Sequence, residues 1–326
     1  MRTDIAFSYA PGKVILIGEH AVVYGATAIA MPIDMGVRVA VSRLDEHSDL
    51  AGVGPMIRGV GPFFMGDTFL HQESSGPKVL THALGYLAQA FGEQALDMAI
   101  VVDGSLAPGR GLGSSAALSV AIIRAIYRYI QQPLSDCLLA SHASALETIF
   151  HGQPSGIDHA VVINGEPIAF RRKAQTAEYR TLKLSSELKL VVGFVGPHDG
   201  TKNAVKEFAE RKKRQEKAYS RIISNLDDMA ADMEEALLNG RLAFVGELMN
   251  IAQGYLNALS LSTLAIEHLC ALARERGALG AKLTGAGGGG AVIALCDGCE
   301  TEILSAFRAA GFESFITSVS AGRHHA

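Results

Sequence analysis

Five of the six residues from Gly285 to Gly290 are glycine, and three more glycines alternate at 109, 111 and 113. Neither run suits the interior of a helix or strand, because glycine packs no side chain and loses the most conformational freedom when ordered. Such clusters belong where backbone turns sharply or comes close to a ligand. Around them the 326-residue chain is ordinary globular sequence, 48% hydrophobic and 19% charged, which excludes a disordered or fibrous chain. Its length suits two domains, each with its own core. With 29 basic against 33 acidic residues the net charge is -4, so nucleic acid and anionic membrane surfaces are not expected partners. Any phosphate must be bound locally. The uncharged stretch from Leu248 to Ile266 is interrupted by Asn250, Gln253, Asn257, Ser260, Ser262 and Thr263. It reads as helix, turn and helix start, not as a membrane span. The opening MRTDIAFSYAPGK has no secretory-signal pattern, and four cysteines in this spacing form no disulfide framework. A cytoplasmic location is expected, with Cys296 and Cys299 as reduced structural thiols.

The first forty residues read as an antiparallel start: a strand from Ile5 to Tyr9, a turn at Pro11-Gly12, a strand from Val14 to Ile17, a turn at Gly18 and a strand from Val37 to Val41. Residues 42–78 read as strands with long connections. Helix is expected over 79–91 and 114–130, the latter apolar on nearly every face, and again over 135–150, with a strand over 98–102. HGQPSGIDHA, residues 151–160, breaks the regular pattern. A second regime begins with the strand LKLVVGFVG at 188–196, followed by helices over 202–239, 242–258 and 263–276. The charge run from Lys206 to Arg221 is most simply a solvated helix face, with a basic ligand surface as the other reading. The expected division is an N-terminal domain over 1–180 and a C-terminal one over 181–326.

Three clusters carry chemistry. PGRGLGSSAAL, Pro108 to Leu118, lies between an expected strand and a buried helix. Its glycines free the backbone to wrap an anion, and the helix start aims unpaired N–H groups and a positive dipole end at it. The other reading is a tight strand-to-helix turn with a serine cap. The loop is not a Walker A sequence, since no Lys-Ser/Thr pair follows, and paired serines at a phosphate-binding helix start are well placed to ligate Mg2+. In the second cluster Asp158 follows a Pro-Ser-Gly turn, eleven residues after Glu147. One carboxylate would hold Mg2+ and the other would orient or deprotonate a hydroxyl, although an aspartate placed like Asp158 is, taken in isolation, more often an ordinary turn or cap residue. The third cluster, PGKVILIGEHAVVYG at 11–25, holds Lys13, Glu19 and His20. A lysine beside an aspartate keeps it ionised and stabilises charge as phosphate leaves.

These clusters, with KLTGAGGGGAVIAL at 282–295, resemble in sequence and order the three motifs of the GHMP-superfamily kinases, and within them most closely the mevalonate kinase branch. ETIFHGQPSGID at 147–158, DGTKNAVKEF at 199–208 and GELMN at 246–250 add support, so the resemblance spans nearly the whole chain. It implies an α+β GHMP kinase fold, with an N-terminal ribosomal-protein-S5-domain-2-like domain and a C-terminal ferredoxin-like domain. It also implies ATP-dependent phosphorylation of the primary hydroxyl of mevalonate in isoprenoid biosynthesis, by a homodimer with Mg2+. Asp158 matches the catalytic aspartate and Lys13 the lysine that acts with it. Ser115 and Glu147 match the Mg2+ ligands. Pro108, Gly109, Gly111, Leu112, Gly113, Ser114, Ser115 and Ala116 match the loop that cradles ATP phosphates, and Gly285, Gly287 and Gly288 match the third motif lining the site. Glu19, His20 and Thr201 match positions on the mevalonate side. Of these, His20 and Thr201 are expected to donate to the substrate carboxylate, while Glu19 orients Lys13 or His20.

Ala291 replaces a frequent cysteine, which is expected to be a packing change. His198-Asp199 and Leu261 depart from the family at the expected substrate rim. Residues 43–78 match nothing, which leaves adenine contacts open. Another GHMP small-molecule kinase, for phosphomevalonate or a sugar, is the alternative enzyme. A catalytically dead ligand sensor is disfavoured because Lys13, Glu147, Asp158 and the Gly-Ser loop are all present.

Overall fold

The computed structural model describes residues 5–43, 56–60, 66–69, 78–92, 98–104, 106, 109–151, 156–173, 177–196 and 201–319. Two sheets organise it. The first contains β1 (Ile5–Ile17), β2 (Thr27–Arg43), β3 (Met56–Val60), β4 (Gly66–Phe69), β5 (Met98–Gly104), β6 (Ile168–Arg172) and β7 (Ala177–Thr181), in the order β4-β3-β5-β2-β6-β7 with β1 also paired to β2. β2 is long enough to pair β1 along one edge and both β5 and β6 along the other.

The turn expected at Pro11-Gly12 is instead a bulge within one continuous strand. The register slips there, from Pro11 opposite Gly36 to Gly12 opposite Ile33. Pro and Gly are both tolerated at a bulge, where ladder bonding is already interrupted. Short-range turn chemistry therefore resembled a hairpin. Helix α1 (Lys78–Phe91) precedes β5, and α2 (Ser114–Tyr129), α3 (Asp136–His151) and α4 (Ile157–Asn164) follow it. α2 packs on β1 and β2 and meets α3 and α4, which accounts for its apolar residues on nearly every face.

The second sheet is antiparallel throughout, with order β11-β8-β10-β9, built from β8 (Leu188–Gly196), β9 (Gly280–Thr284), β10 (Gly290–Cys296) and β11 (Ser314–Val319). Taken as four strands in chain order this is 4-1-3-2, the ferredoxin-like arrangement. Four helices, α5 (Thr201–Arg214), α6 (Glu216–Leu238), α7 (Leu242–Ala258) and α8 (Leu264–Glu275), replace its first single helix, and α9 (Glu300–Ala309) is the second. The single helix expected over 202–239 breaks at Gln215, which leaves helical geometry at φ -132° and ψ 48°. One hydrophobic core runs through both sheets, from Ala6 to Val319.

Candidate active site

Lys13, on β1, is buried beneath the first glycine loop. Its backbone N–H donates to the Leu112 carbonyl at 2.9 Å and its ammonium to the Gly111 carbonyl at 3.3 Å. The same ammonium meets the Asp158 carboxylate at 2.9 Å, and Asp158 keeps 35% of its side chain exposed. A side chain at Gly113, which enters α2 at φ 70°, would lie 2.8 Å from Lys13 Cγ. Loop and lysine thus require each other's shape. The break expected at 151–160 hides the start of α4: Gly156 caps it, and Asp158 lies in its first turn, where the helix dipole favours a negative charge.

Ser115, in the first turn of α2, hydrogen-bonds Glu147 near the end of α3. Glu147 is 2% exposed, and among the described residues its Oε1 is buried with no hydrogen-bond partner. Burial first, and the nearby Asp158 charge second, raise its carboxyl pKa to about 7 against the opposing effects of Ser115 and Lys13. A buried, unsatisfied acceptor beside a second carboxylate and a hydroxyl fits a hard divalent cation. No group of three or more His, Cys, Asp or Glu that could hold a metal forms among the described residues, but Mg2+ needs only one or two carboxylates and completes its shell with water and phosphate oxygens.

The third motif closes the other wall. Gly111 and Gly285 face each other so closely that a Cβ on Gly111 would lie 2.8 Å from the Thr284 carbonyl, and one on Gly285 3.0 Å from Gly111 Cα. Leu261, expected at the substrate rim, is buried and accepts from Gly288 N–H at 2.8 Å, so it anchors this glycine loop. Ala291 is buried in β10, as a packing residue should be.

Sequence reasoning missed Lys282. It is fully buried on β9 and forms an ion pair with Glu19, while also donating to the carbonyls of Ile15 at 3.3 Å and Leu283 at 2.6 Å. Burial pushes the Glu19 carboxyl pKa up and the Lys282 ammonium pKa down, each restrained by the other's charge. Glu19 is therefore held by Lys282, not by Lys13 or His20 as expected. Its available signal was a lysine inside a strand whose five residues are all buried, since buried charges are paired.

His20 has a positive φ of 58° and stacks on Phe208 of α5 at 4.9 Å. Its Nε2 lies 2.8 Å from the Ala286 carbonyl. A carbonyl only accepts, so Nε2 carries the proton and donates. Burial lowers the ring's proton affinity, the Ala286 bond opposes this, and the Arg211 charge adds to it. A neutral ring is left with Nδ1 as an acceptor. His20 thus suits a substrate hydroxyl, not the carboxylate expected of it. Thr201 opens α5, with its side chain outside the described residues, as are Pro108 and His198-Asp199.

The chain belongs to the GHMP kinases: residues 78–166 match the GHMP kinases N terminal domain and residues 233–312 the GHMP kinases C terminal. Residues 2–43 also match a galactokinase galactose-binding signature. Within this superfamily the chain is a member of the mevalonate kinase family. It is 34% identical to the mevalonate kinase of Pyrococcus horikoshii over 95% of this chain and 94% of that protein. It is 31% identical to that of Pyrococcus abyssi over 97% and 96%. The crystal structure of L. major mevalonate kinase in complex with R-mevalonate superposes with a TM-score of 0.82 at 26% identity, covering 99% of this chain and 97% of that one. The fold is the α+β GHMP kinase fold, and the chain is an ATP-dependent kinase acting on an alcohol. No helix among the described residues is long and apolar enough to cross a membrane.

Proposed function

We propose that this chain transfers the γ-phosphoryl group of ATP to the primary hydroxyl of mevalonate, giving 5-phosphomevalonate for isoprenoid and hence lipid biosynthesis. The observation that carries this reading is the Lys13–Asp158 pair at 2.9 Å, directly under a glycine loop that opens a helix. Backbone N–H groups of residues 109–116 receive the ATP phosphates, and Gly285, Gly287 and Gly288 line the facing wall. Asp158 accepts the hydrogen bond of the attacking hydroxyl and orients it or takes its proton. Lys13 holds Asp158 ionised and stabilises charge on the transferring group. Ser115 and Glu147 would hold Mg2+, which supplies charge neutralisation at the β- and γ-phosphate oxygens. His20 accepts from the tertiary hydroxyl of mevalonate, Glu19 acts on that end through its tie to Lys282, and Thr201, the first residue of α5, donates to the carboxylate. The domain division near residue 180, the homodimer and the cytoplasmic location belong to the same proposal. The last rests on four free cysteines.

The galactokinase signature over 2–43 favours a second reading, a sugar kinase. An ADP-release assay across mevalonate, phosphomevalonate, galactose and homoserine separates the two. Mevalonate should win by at least about 100-fold in kcat/KM, the discrimination open to a site that hydrogen-bonds its substrate. A preference for galactose would overturn the assignment.

Ser115→Ala and Glu147→Gln should each raise the Mg2+ concentration needed for half-maximal rate without abolishing activity. An unchanged titration in both would locate the cation elsewhere. Glu147→Gln has an opposite effect on the metal-free fold. The Glu147 carboxyl binds its proton more tightly folded than unfolded, so wild-type stability falls as pH rises from the ordinary carboxyl range through about 7. The loss approaches about 3 kcal/mol at full ionisation. The glutamine variant should therefore melt above metal-free wild type near pH 8 and lose that advantage near pH 5. Equal melting at both values would show that burial does not strain Glu147.

A further inference from the structure

The charge run on α5 holds one guanidinium that solvent alone does not explain. Among the described residues Arg211 Nε is buried with no hydrogen-bond partner. Its Nη1 makes only a 3.4 Å contact to Glu207, whose side chain is 63% exposed. Arg211 lies three residues after Phe208, on the same face of α5, and Phe208 stacks on His20. Helical side chains lean toward the N-terminus, which carries the guanidinium back over the turn bearing Glu207 and Phe208. Its charge is felt at His20. Three neighbouring cations are already engaged: Lys13 by Asp158, Lys282 by Glu19, and Lys212 over the Tyr24 ring at 5.1 Å. The His20 N–H is spent on Ala286.

From this arrangement we infer that Arg211 anchors the carboxylate of the acceptor. The inference rests on the reading of the acceptor as mevalonate, a hydroxy acid with a reactive hydroxyl at one end and a carboxylate at the other. With Asp158 holding the hydroxyl end and His20 supplying an acceptor, the carboxylate has the Thr201 hydroxyl but still needs a cation. A guanidinium with an unsatisfied N–H offers a planar pair of donors, whereas an ammonium does not match both carboxylate oxygens. Glu207 occupies part of the fork until the substrate carboxylate displaces it to solvent.

The test compares mevalonate with 3-methyl-1,3-pentanediol, which keeps both hydroxyls and lacks the carboxylate. Arg211→Gln should raise KM for mevalonate by about 10- to 100-fold, the range of a charged hydrogen bond. It should narrow the mevalonate-over-diol preference by the same factor, leave KM for ATP as in wild type, and regain part of the loss as Arg211→Lys. Lys212→Met should shift none of these. Equal losses on acid and diol, or a mevalonate KM that rises with Lys212→Met and not with Arg211→Gln, would overturn the anchor. Failure of the acceptor reading looks different: wild type would phosphorylate an uncharged sugar and not mevalonate, and the need for an anchor would vanish with it.

Discussion

Asp158→Asn should lower kcat by about two to four orders of magnitude while KM for ATP stays near the wild-type value. The asymmetry follows from placement. Asp158 lies in the first turn of α4 with a third of its side chain open, paired through Lys13 to the floor of the glycine loop. The nucleotide is proposed to bind backbone N–H groups of that loop and not this carboxylate. Asparagine keeps the shape and one neutral acceptor oxygen but takes up no proton and forms no ion pair with Lys13, so the hydroxyl loses the charged acceptor that orients it. Because phosphoryl transfer passes through a loose transition state, much of the loss reflects positioning. Steady-state kinetics with ATP and acceptor varied separately checks this, and a variant retaining most of its kcat would remove Asp158 from the mechanism.

Lys282→Met should be the most destabilising single change at the site. It leaves the Glu19 carboxylate almost fully buried without its cation, and breaking a buried pair from one side costs about 3–5 kcal/mol. That is a large share of a typical domain's total stability, so the thermal midpoint should fall by on the order of 10 °C. The double variant Glu19→Leu with Lys282→Met should recover much of that stability, since a buried pair replaced by apolar groups is often neutral. Its activity should stay low, because the pair ties the first motif to the third and sets the loop whose Ala286 carbonyl fixes His20. A Lys282→Met protein melting within a degree or two of wild type would show that Glu19 does not depend on its partner.

What the sequence reveals and what it conceals divide along physical lines. Lys13, Ser115, Glu147 and Asp158 stand out in the sequence through the ordered motifs that resemble the family's, whereas taken singly Lys13 reads as a surface lysine and Asp158 as a turn residue. The meeting of Lys13 with Asp158 and of Ser115 with Glu147 is consistent with those roles. The pairing of Glu19 with Lys282 was not legible, since it spans 263 positions and depends on how β9 meets β1. The same holds for His20: its residue type suggested a donor, and only the tertiary contact to Ala286 decides that the N–H is taken. In the fold, most helix spans followed from apolar periodicity, whereas the break at Gln215, the bulge at Pro11-Gly12 and the start of α4 at Gly156 did not. Glycine and proline punctuate the chain without saying whether the element ends or merely bends.

The most direct test of the central claim is the proton-coupled phosphorus-31 NMR spectrum of the product formed from ATP and mevalonate. Transfer to the primary hydroxyl oriented by Asp158 places phosphorus three bonds from two methylene protons, so the new monoester resonance should split into a triplet. A new singlet would mean phosphorylation of the tertiary hydroxyl, and no new monoester resonance while an alternative acceptor is consumed would mean a different substrate. Either result would contradict the account.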